Sequence, residues 1–141
     1  MSQFIVKQTE AKYDAIRELQ NAHLDASFTI GTESSNAINV AIQLKSDKSQ
    51  SDVVARKAVF AYLSDDANGD SIVATAPDGG WAIGTDGLLI PVVASKAAYL
   101  VSEADGDIDV TITHAADAKT VRLVLVMPNG RLVVSGAITF A

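Results

Sequence analysis

Few residues of this chain could carry out catalysis, and their surroundings argue against it. Gly69-Asp70-Ser71-Ile72 places a serine in a Gly-Asp-Ser block, a context that can hold a hydrolase nucleophile. Such a serine needs a histidine base and a carboxylate that orients the base. The only histidines are His23, in a predicted helix, and His114, at a strand end without a nearby Asp-x-x-His block. We therefore expect a hairpin turn at Ser71, no catalytic residues and no enzymatic function, with a hydrolase as the weakest alternative.

Carboxylates at alternate positions could converge on a cation. Asp66-Ala-Asn68-Gly-Asp70 is similar to the start of a calcium loop, but its sixth position is Ser71 instead of glycine and its twelfth is Pro77 instead of glutamate. The sequence favours a plain acidic turn, and we expect neither a metal nor a cofactor. A weak cation site of another type is the alternative.

A second acidic cluster, Asp105-Gly-Asp107-Ile-Asp109, also lacks a closing ligand. Alternate residues of a strand share one face, so the three carboxylates should lie together on a solvated surface. This pattern indicates a polar outer face, with the same weak cation site as the alternative.

Trp81 is the only tryptophan and follows Pro-Asp-Gly-Gly. Near a loop tip it would serve as a sugar-stacking platform or an interface anchor. The favoured alternative is a tryptophan folded back over the end of the core, because large aromatic side chains are usually mostly buried.

The elements that position these residues are a series of short apolar segments, each flanked by Gly, Asp, Asn or Pro. That pattern predicts a mainly β fold, an antiparallel β-sandwich. The predicted strands are Ala37 to Leu44, Lys57 to Ser64, Lys96 to Ser102, Asp107 to His114, Lys119 to Met127 and Arg131 to Phe140. Ser46 to Asp52 reads as a solvated loop.

Turn residues predict where the hairpins close. Asn68-Gly69, Asp78-Gly79-Gly80 and Asp86-Gly87 supply residues that tolerate positive φ, so short hairpins should follow one another there. Met127-Pro128-Asn129-Gly130 fits a type I turn followed by a left-handed glycine. The two strands that it joins are apolar almost throughout, which favours burial on both faces, by the core and by a partner.

The N-terminal region follows a different pattern. Tyr13, Ile16, Leu19, His23 and Leu24 recur at helical spacing, which predicts one amphipathic helix from Thr9 to Leu24 after an extended segment. Two interpretations stay open: a helix laid across the sandwich, or an arm that docks on a neighbouring subunit. The predicted division is an N-terminal arm and helix over 1–35 and a β-sandwich domain over 36–141.

Composition limits the partners. The 141 residues carry a net charge of −6 and include no cysteine, which excludes disulfides and thiolate sites. Between Ala58 and Ala118 the sequence has ten acidic residues and a single basic one, Lys96. Binding of this part to nucleic acid or to an anionic membrane is therefore not expected. With 48% hydrophobic and 20% charged residues, the chain favours a subunit interface, hence a homo-oligomer or docking on a large partner. No apolar run is long enough for a membrane span and no secretory signal is evident.

Several phrases resemble small structural proteins of tailed bacteriophages over about Ala37 to Ala141. They are the strand entering AYLSDD, the hairpin GG-aliphatic-AIGTDG, the strand LVSEADGDIDVTIT and the closing hairpin ending NGRLVVSGAITFA. In this chain Met127 replaces the usual leucine and Trp81 the usual small aliphatic residue.

The resemblance implies a virion component with an immunoglobulin-like or related sandwich, and favours a decoration, or cement, protein on the outside of the phage head. It implies the major capsid protein as partner, a homo-oligomer with a trimer preferred, and assembly in the host cytoplasm. Head fibres or spikes that bind a host receptor or carbohydrate, head-tail completion proteins and minor tail proteins are the alternatives. The expected capsid or oligomer contacts are Phe4, Ile5, Val6, Tyr13, Ile16, Leu19 and Trp81.

Overall fold

The computed structural model describes residues 12–13 and 23–141. Ten strands are described, and they form two antiparallel sheets. The strands are β1 (Leu24–Ile30), β2 (Ala37–Ser46), β3 (Ala58–Ser64), β4 (Trp81–Ile83), β5 (Leu88–Val93), β6 (Ala97–Val101), β7 (Asp107–Thr113), β8 (Lys119–Val126), β9 (Leu132–Val134) and β10 (Ile138–Phe140).

One sheet has four strands in the order β1-β2-β7-β4. Its strands alternate between inward and outward residues, as in β2, where Ile38, Val40, Ile42 and Leu44 are all buried. Since successive side chains of a strand point to opposite faces, each strand gives its apolar set to the core and its polar set to solvent.

The other sheet has six strands in the order β10-β8-β3-β6-β5, with β9 also pairing with β8. Its inward residues on the central strands include Ala61, Leu63, Leu100, Leu123 and Leu125, none of which is exposed. They pack against the inward residues of the first sheet in one core. Each fully buried leucine or valine stabilises the fold by about 1.5 to 3 kcal/mol relative to exposure. The predicted mainly β fold with two packed antiparallel sheets is confirmed.

The predicted turn between the last long strands is also confirmed. The Gly130 N–H donates to the Met127 carbonyl at 2.8 Å, and Gly130 has a φ of +85°. The Met127 N–H donates in turn to the Arg131 carbonyl at 2.9 Å and closes the hairpin.

The strand predicted from Arg131 to Phe140 is divided into β9 and β10. At the break, Ser135 is buried, its N–H donates to the Leu123 carbonyl at 2.9 Å and its hydroxyl accepts the Leu123 N–H at 2.9 Å. Because the serine side chain takes the place of a backbone partner, the ladder is interrupted there and resumes with Ile138 opposite Val121.

The start of the sheet differs from the prediction. Leu24, expected to end the helix, is the buried first residue of β1, and all seven residues of β1 pair with β2. The alternation of Leu24, Ala26, Phe28 and Ile30 toward the core explains this, since period two satisfies the sheet. β1 therefore lies within 1–35, the range predicted as arm and helix; apart from residues 12–13, the earlier part of that helix lies outside the described residues.

The hairpin of β8 and β9 also joins the ends of the two sheets. Arg131 at its tip lies 2.6 Å from an oxygen of Asp47 and 3.5 Å from an oxygen of Asp25. Asp25 belongs to β1, and Asp47 follows β2.

In the part of the chain that the structure describes, no helix is long and apolar enough to cross a membrane.

Candidate interaction surface

The outer face of the four-stranded sheet is polar. Asn39 and Gln43 of β2 and Asp107, Asp109 and Thr111 of β7 point outward here, opposite to the buried residues that alternate with them. The sequence predicted that Asp105, Asp107 and Asp109 share one solvated face of a strand. Asp107 and Asp109 lie at outward positions of β7, whereas Asp105 lies in the turn before that strand.

Asp109 is held by hydrogen bonds. Its carboxylate accepts from the amide of Asn39, from the Thr85 hydroxyl at 2.7 Å and from the Thr85 N–H at 3.2 Å. Partial burial opposes ionisation, but these donors outweigh it and lower the pKa of Asp109 below its ordinary value. The carboxylate therefore serves to fix the β4–β5 connection to β7.

Asp107 has the opposite electrostatic setting. Desolvation, followed by the charges of Asp105 and Asp86, raises the pKa of the Asp107 carboxyl. Across residues 12–13 and 23–141, no group of three or more His, Asp or Glu side chains is arranged to hold a metal ion.

The Asp66 turn uses its carboxylate to organise its own backbone. One oxygen of Asp66 accepts the N–H groups of Asn68 and Asp70, each at 3.1 Å. Gly69 has a φ of +75°, as the turn prediction required. No strand lies between Ser64 and Trp81, so the hairpin predicted at Asn68-Gly69 and Ser71 is wrong and a loop takes its place. These bonds are those of an acidic turn.

Much of the outer face of the six-stranded sheet is apolar instead, although Thr120 and Arg122 of β8 lie on the same side. One row of side chains crosses five strands, because the strand registers place Ile90, Tyr99, Phe60, Val126 and Leu132 side by side. Three of them are well exposed: Tyr99 at 48%, Ile90 at 46% and Leu132 at 38%. No member of the row carries a charge.

A second row lies beside the first. Leu88, Val101 and Ala58 are paired in register across β5, β6 and β3, and Leu88 is 53% exposed. We call these two rows together the apolar face. Monomeric proteins seldom leave contiguous apolar surface of more than a few hundred Å² uncovered, and such a patch usually marks a contact surface.

Aromatic packing gives the apolar face a fixed shape. The rings of Phe60 and Tyr99 meet edge to face with centroids 5.4 Å apart, and Tyr62 lies 6.4 Å from Phe60 by the same measure. Tyr62 is tied down, because its hydroxyl donates to the Gly69 carbonyl. Its pKa is raised by burial and by the charge of Asp70.

The loop between β3 and β4 covers the adjoining part of this sheet. A Cβ on Gly69 would lie 3.0 Å from Val124 and 3.1 Å from Val134, so the loop backbone is seated directly on those side chains. Val124 is fully buried as a result. The apolar face is thus the part of the outer surface that the loop leaves uncovered.

Trp81, one of the expected contacts, lies on the inner side of the other sheet. Trp81 of β4 pairs with the buried Ile112 of β7 and packs against the core. This placement is the favoured alternative for Trp81 in the sequence analysis. Its indole N–H is buried and has no hydrogen-bond partner. The role of Trp81 as an exposed platform has no support from this placement.

The other expected contacts belong to the N-terminal region. Tyr13 is 59% exposed. Phe4, Ile5, Val6, Ile16 and Leu19 lie outside the described residues.

Ser71 and His114 do not form a nucleophile and base. Nδ1 of His114 accepts the Asp78 N–H at 3.1 Å, and Nε2 lies 2.7 Å from a carboxylate oxygen of Asp117. Both ring nitrogens are therefore engaged by the loops beside the imidazole, and Ser71 lies on an exposed turn. The His114-x-x-Asp117 spacing was the sequence signal for this structural cluster.

Two of the surface cavities formed by the described residues lie elsewhere. One of about 320 Å³ is lined by Leu24, Val53, Val54 and neighbours at the start of β1, and one of about 180 Å³ lies on the polar face beside Asn39. Neither contains His114 or Ser71.

Comparison of the chain with protein-family models and with curated proteins gave no match.

Proposed function

We propose that this chain is a non-enzymatic structural protein of a phage particle, a decoration protein that binds the outside of the head and stabilises the capsid. The resemblance of its strand and turn phrases to small phage structural proteins supplies the biological setting. Within that setting the sandwich is assigned an immunoglobulin-like or related topology.

The apolar face is the observation that carries the proposal. Adhesion requires apolar surface that becomes buried only after assembly, and Ile90, Tyr99, Phe60 and Leu132 provide it on a rigid sheet. Tyrosine and phenylalanine are also enriched at the cores of protein interfaces, and tyrosine often carries a large share of the binding energy.

The opposite face suits the outside of a particle. Asp107 and Asp109 and the acidic turns beside them lie on or near the polar sheet, and acidic surfaces keep particles soluble by mutual repulsion. A protein that binds only the assembled head stabilises it by the free energy of that binding.

The alternative is a head-fibre or spike module that binds a host receptor or a carbohydrate. Trp81, an expected contact residue in both roles, packs against the core. The alternative is left with the acidic hairpins as its contact surface, whereas the decoration role keeps the apolar face. The decoration role is therefore preferred.

Mixing the purified chain with undecorated heads tests the proposal. We expect saturable binding and a higher melting temperature of the heads, measured by calorimetry. Binding to host cells or glycans without any effect on head melting would support the alternative. Absence of the chain from purified virions by mass spectrometry would contradict both.

A further inference from the structure

We propose that Asn129 is a site of spontaneous modification, at which the side-chain amide is converted to a carboxylate by reaction with water. Asn129 belongs to the hairpin tip between β8 and β9. Its products are aspartate and isoaspartate. This inference goes beyond the proposed function and does not depend on a role in a phage particle.

The chemistry is that of an asparagine followed by a glycine. The glycine nitrogen gives up its proton to solvent and bonds to the side-chain carbonyl carbon, and the amide nitrogen of the side chain leaves as ammonia. Water then opens the five-membered ring at either of its two carbonyl groups. Glycine permits the attack because it has no Cβ to obstruct its nitrogen. The sequence contains two such pairs, Asn68-Gly69 and Asn129-Gly130.

The two pairs lie in turns of the same kind. The Gly69 N–H donates to the Asp66 carbonyl at 3.1 Å, and Gly69 has a positive φ. The Gly130 N–H donates to the Met127 carbonyl at 2.8 Å, and Gly130 also has a positive φ. Each turn must open before its glycine nitrogen can attack, so the contacts that hold each turn decide how fast each asparagine reacts.

The turn at Gly69 is held from several sides. Gly69 is buried, and a Cβ on it would lie 3.0 Å from Val124 and 3.1 Å from Val134. Its carbonyl accepts the Tyr62 hydroxyl, and the Asp66 carboxylate accepts two backbone N–H groups of the same turn. Opening this turn breaks these contacts together, which keeps the Gly69 nitrogen from attacking.

The turn at Gly130 is open to solvent. Asn129 and Gly130 are both exposed, and a Cβ built on Gly130 would meet nothing within 4 Å. Solvent therefore reaches the Gly130 nitrogen as soon as its hydrogen bond to Met127 opens.

A backbone donor also favours the attack at Asn129. The Arg131 N–H donates to Oδ1 of Asn129 at 3.0 Å. That oxygen gains negative charge as the ring closes, and a donor directed at it stabilises the transition state. In the other turn the corresponding N–H, that of Asp70, donates to the Asp66 carboxylate at 3.1 Å instead. Solvent access and this donor both single out Asn129.

Conversion changes the charge and the backbone of the hairpin tip. Each event adds one negative charge beside Arg131, whose guanidinium lies 2.6 Å from an Asp47 oxygen and 3.5 Å from an Asp25 oxygen. Isoaspartate also adds one carbon atom to the backbone of the turn. A converted chain is therefore separable from the unchanged chain by anion exchange.

Peptide mass spectrometry of the full folded chain, incubated at mildly alkaline pH, measures both sites in one sample. Trypsin releases the two asparagines in separate peptides, 58–96 and 123–131. We expect Asn129 to convert at least about tenfold faster than Asn68. In guanidinium chloride, where neither turn persists, the two sites should convert at similar rates.

Two variants test the cause of the difference. Gly130→Ala should slow conversion at Asn129 by about tenfold, because the methyl group obstructs the attacking nitrogen, and should leave Asn68 unchanged. Tyr62→Phe frees the Gly69 carbonyl, so it should speed conversion at Asn68 and leave Asn129 unchanged. Equal rates at the two sites of the folded chain would overturn the inference, as would an Asn129 that stays intact while the unfolded chain converts.

Discussion

Phe60 of β3 and Tyr99 of β6 lie directly opposite each other in register and meet edge to face, with ring centroids 5.4 Å apart. Both rings are on the outer side of the sheet, so the pair is a surface feature that still has the packing of a core. Edge-to-face aromatic pairs contribute about 0.5 to 1.5 kcal/mol beyond the area they bury.

The first prediction concerns this pair. A double-mutant cycle with Phe60→Leu and Tyr99→Leu, measured by urea unfolding at low protein concentration, should give a coupling free energy of about 0.5 to 1 kcal/mol. The matched cycle of Phe60→Leu with Leu132→Ala should give almost none, because Val126 lies between those two residues in the row. Equal coupling in both cycles would contradict the edge-to-face contact.

The second prediction compares two glycines with positive φ. At Gly106 (φ +80°) an added Cβ would lie 2.5 Å from the Val53 carbonyl oxygen, whereas at Gly130 (φ +85°) it would meet nothing within 4 Å. Gly130→Ala should cost about 1 kcal/mol from backbone conformation alone. Gly106→Ala should cost about 3 kcal/mol or more, because backbone must also move. Urea unfolding measures both, and similar costs would show that the 106 turn can relax.

The third prediction uses the opposite pKa directions of two aspartates on one face of β7. The lowered pKa of Asp109 means that its stabilisation is present above the unfolded value of about 3.9 and is lost as pH falls through the folded pKa. The raised pKa of Asp107 means that ionisation opposes folding, a penalty that develops as pH rises from the unfolded value through the folded one.

Accordingly, Asp109→Asn should lower the free energy of unfolding at neutral pH, and Asp107→Asn should raise it. Each change should stay below about 1 kcal/mol, since solvent screens both carboxylates. At about pH 2, where both carboxyl groups in the unfolded chain are protonated, the effect of Asp107→Asn should vanish. Urea unfolding at both pH values measures this, and changes of the same sign at neutral pH would contradict the assigned environments.

The fourth prediction concerns Ser71. Ser71→Ala should leave head binding unchanged and alter the free energy of unfolding by no more than about 0.5 kcal/mol, because the serine lies on an exposed turn. Tyr62→Phe is the useful comparison, since it removes the hydroxyl that donates to Gly69 in the same loop and should cost about 1 kcal/mol. Loss of a measured hydrolysis on Ser71→Ala would reopen the hydrolase alternative.

Local signals explain what could be predicted from the sequence. The period-two alternation in β2 and β7 and the turn residues before Gly130 act over only a few positions. Both strands and the turn could therefore be predicted from the sequence. β1 was missed because Leu24 fits a helical spacing as well as a strand alternation, and only pairing with β2 decides between them. The division of the last strand was missed because it depends on Ser135 bonding to Leu123, twelve residues away.

The candidate surface required the register between strands. The sequence showed that the last two predicted strands are apolar on both faces, and it predicted burial there by a partner. That Phe60 and Tyr99 stand side by side with Ile90 and Leu132 follows from long-range pairing, which no local pattern encodes. Trp81 shows the same limit, since its side of the sheet is set by its pairing with Ile112.

The pairing of β1 along its whole length has a mechanical consequence. Tension applied along β1 from its Leu24 end, with the opposite end of the sheet held, loads the hydrogen bonds of all seven paired residues at once rather than peeling them in turn. Arg131 adds a clamp at that end through Asp25 and Asp47. A domain pulled in this direction would therefore yield late, and as a unit.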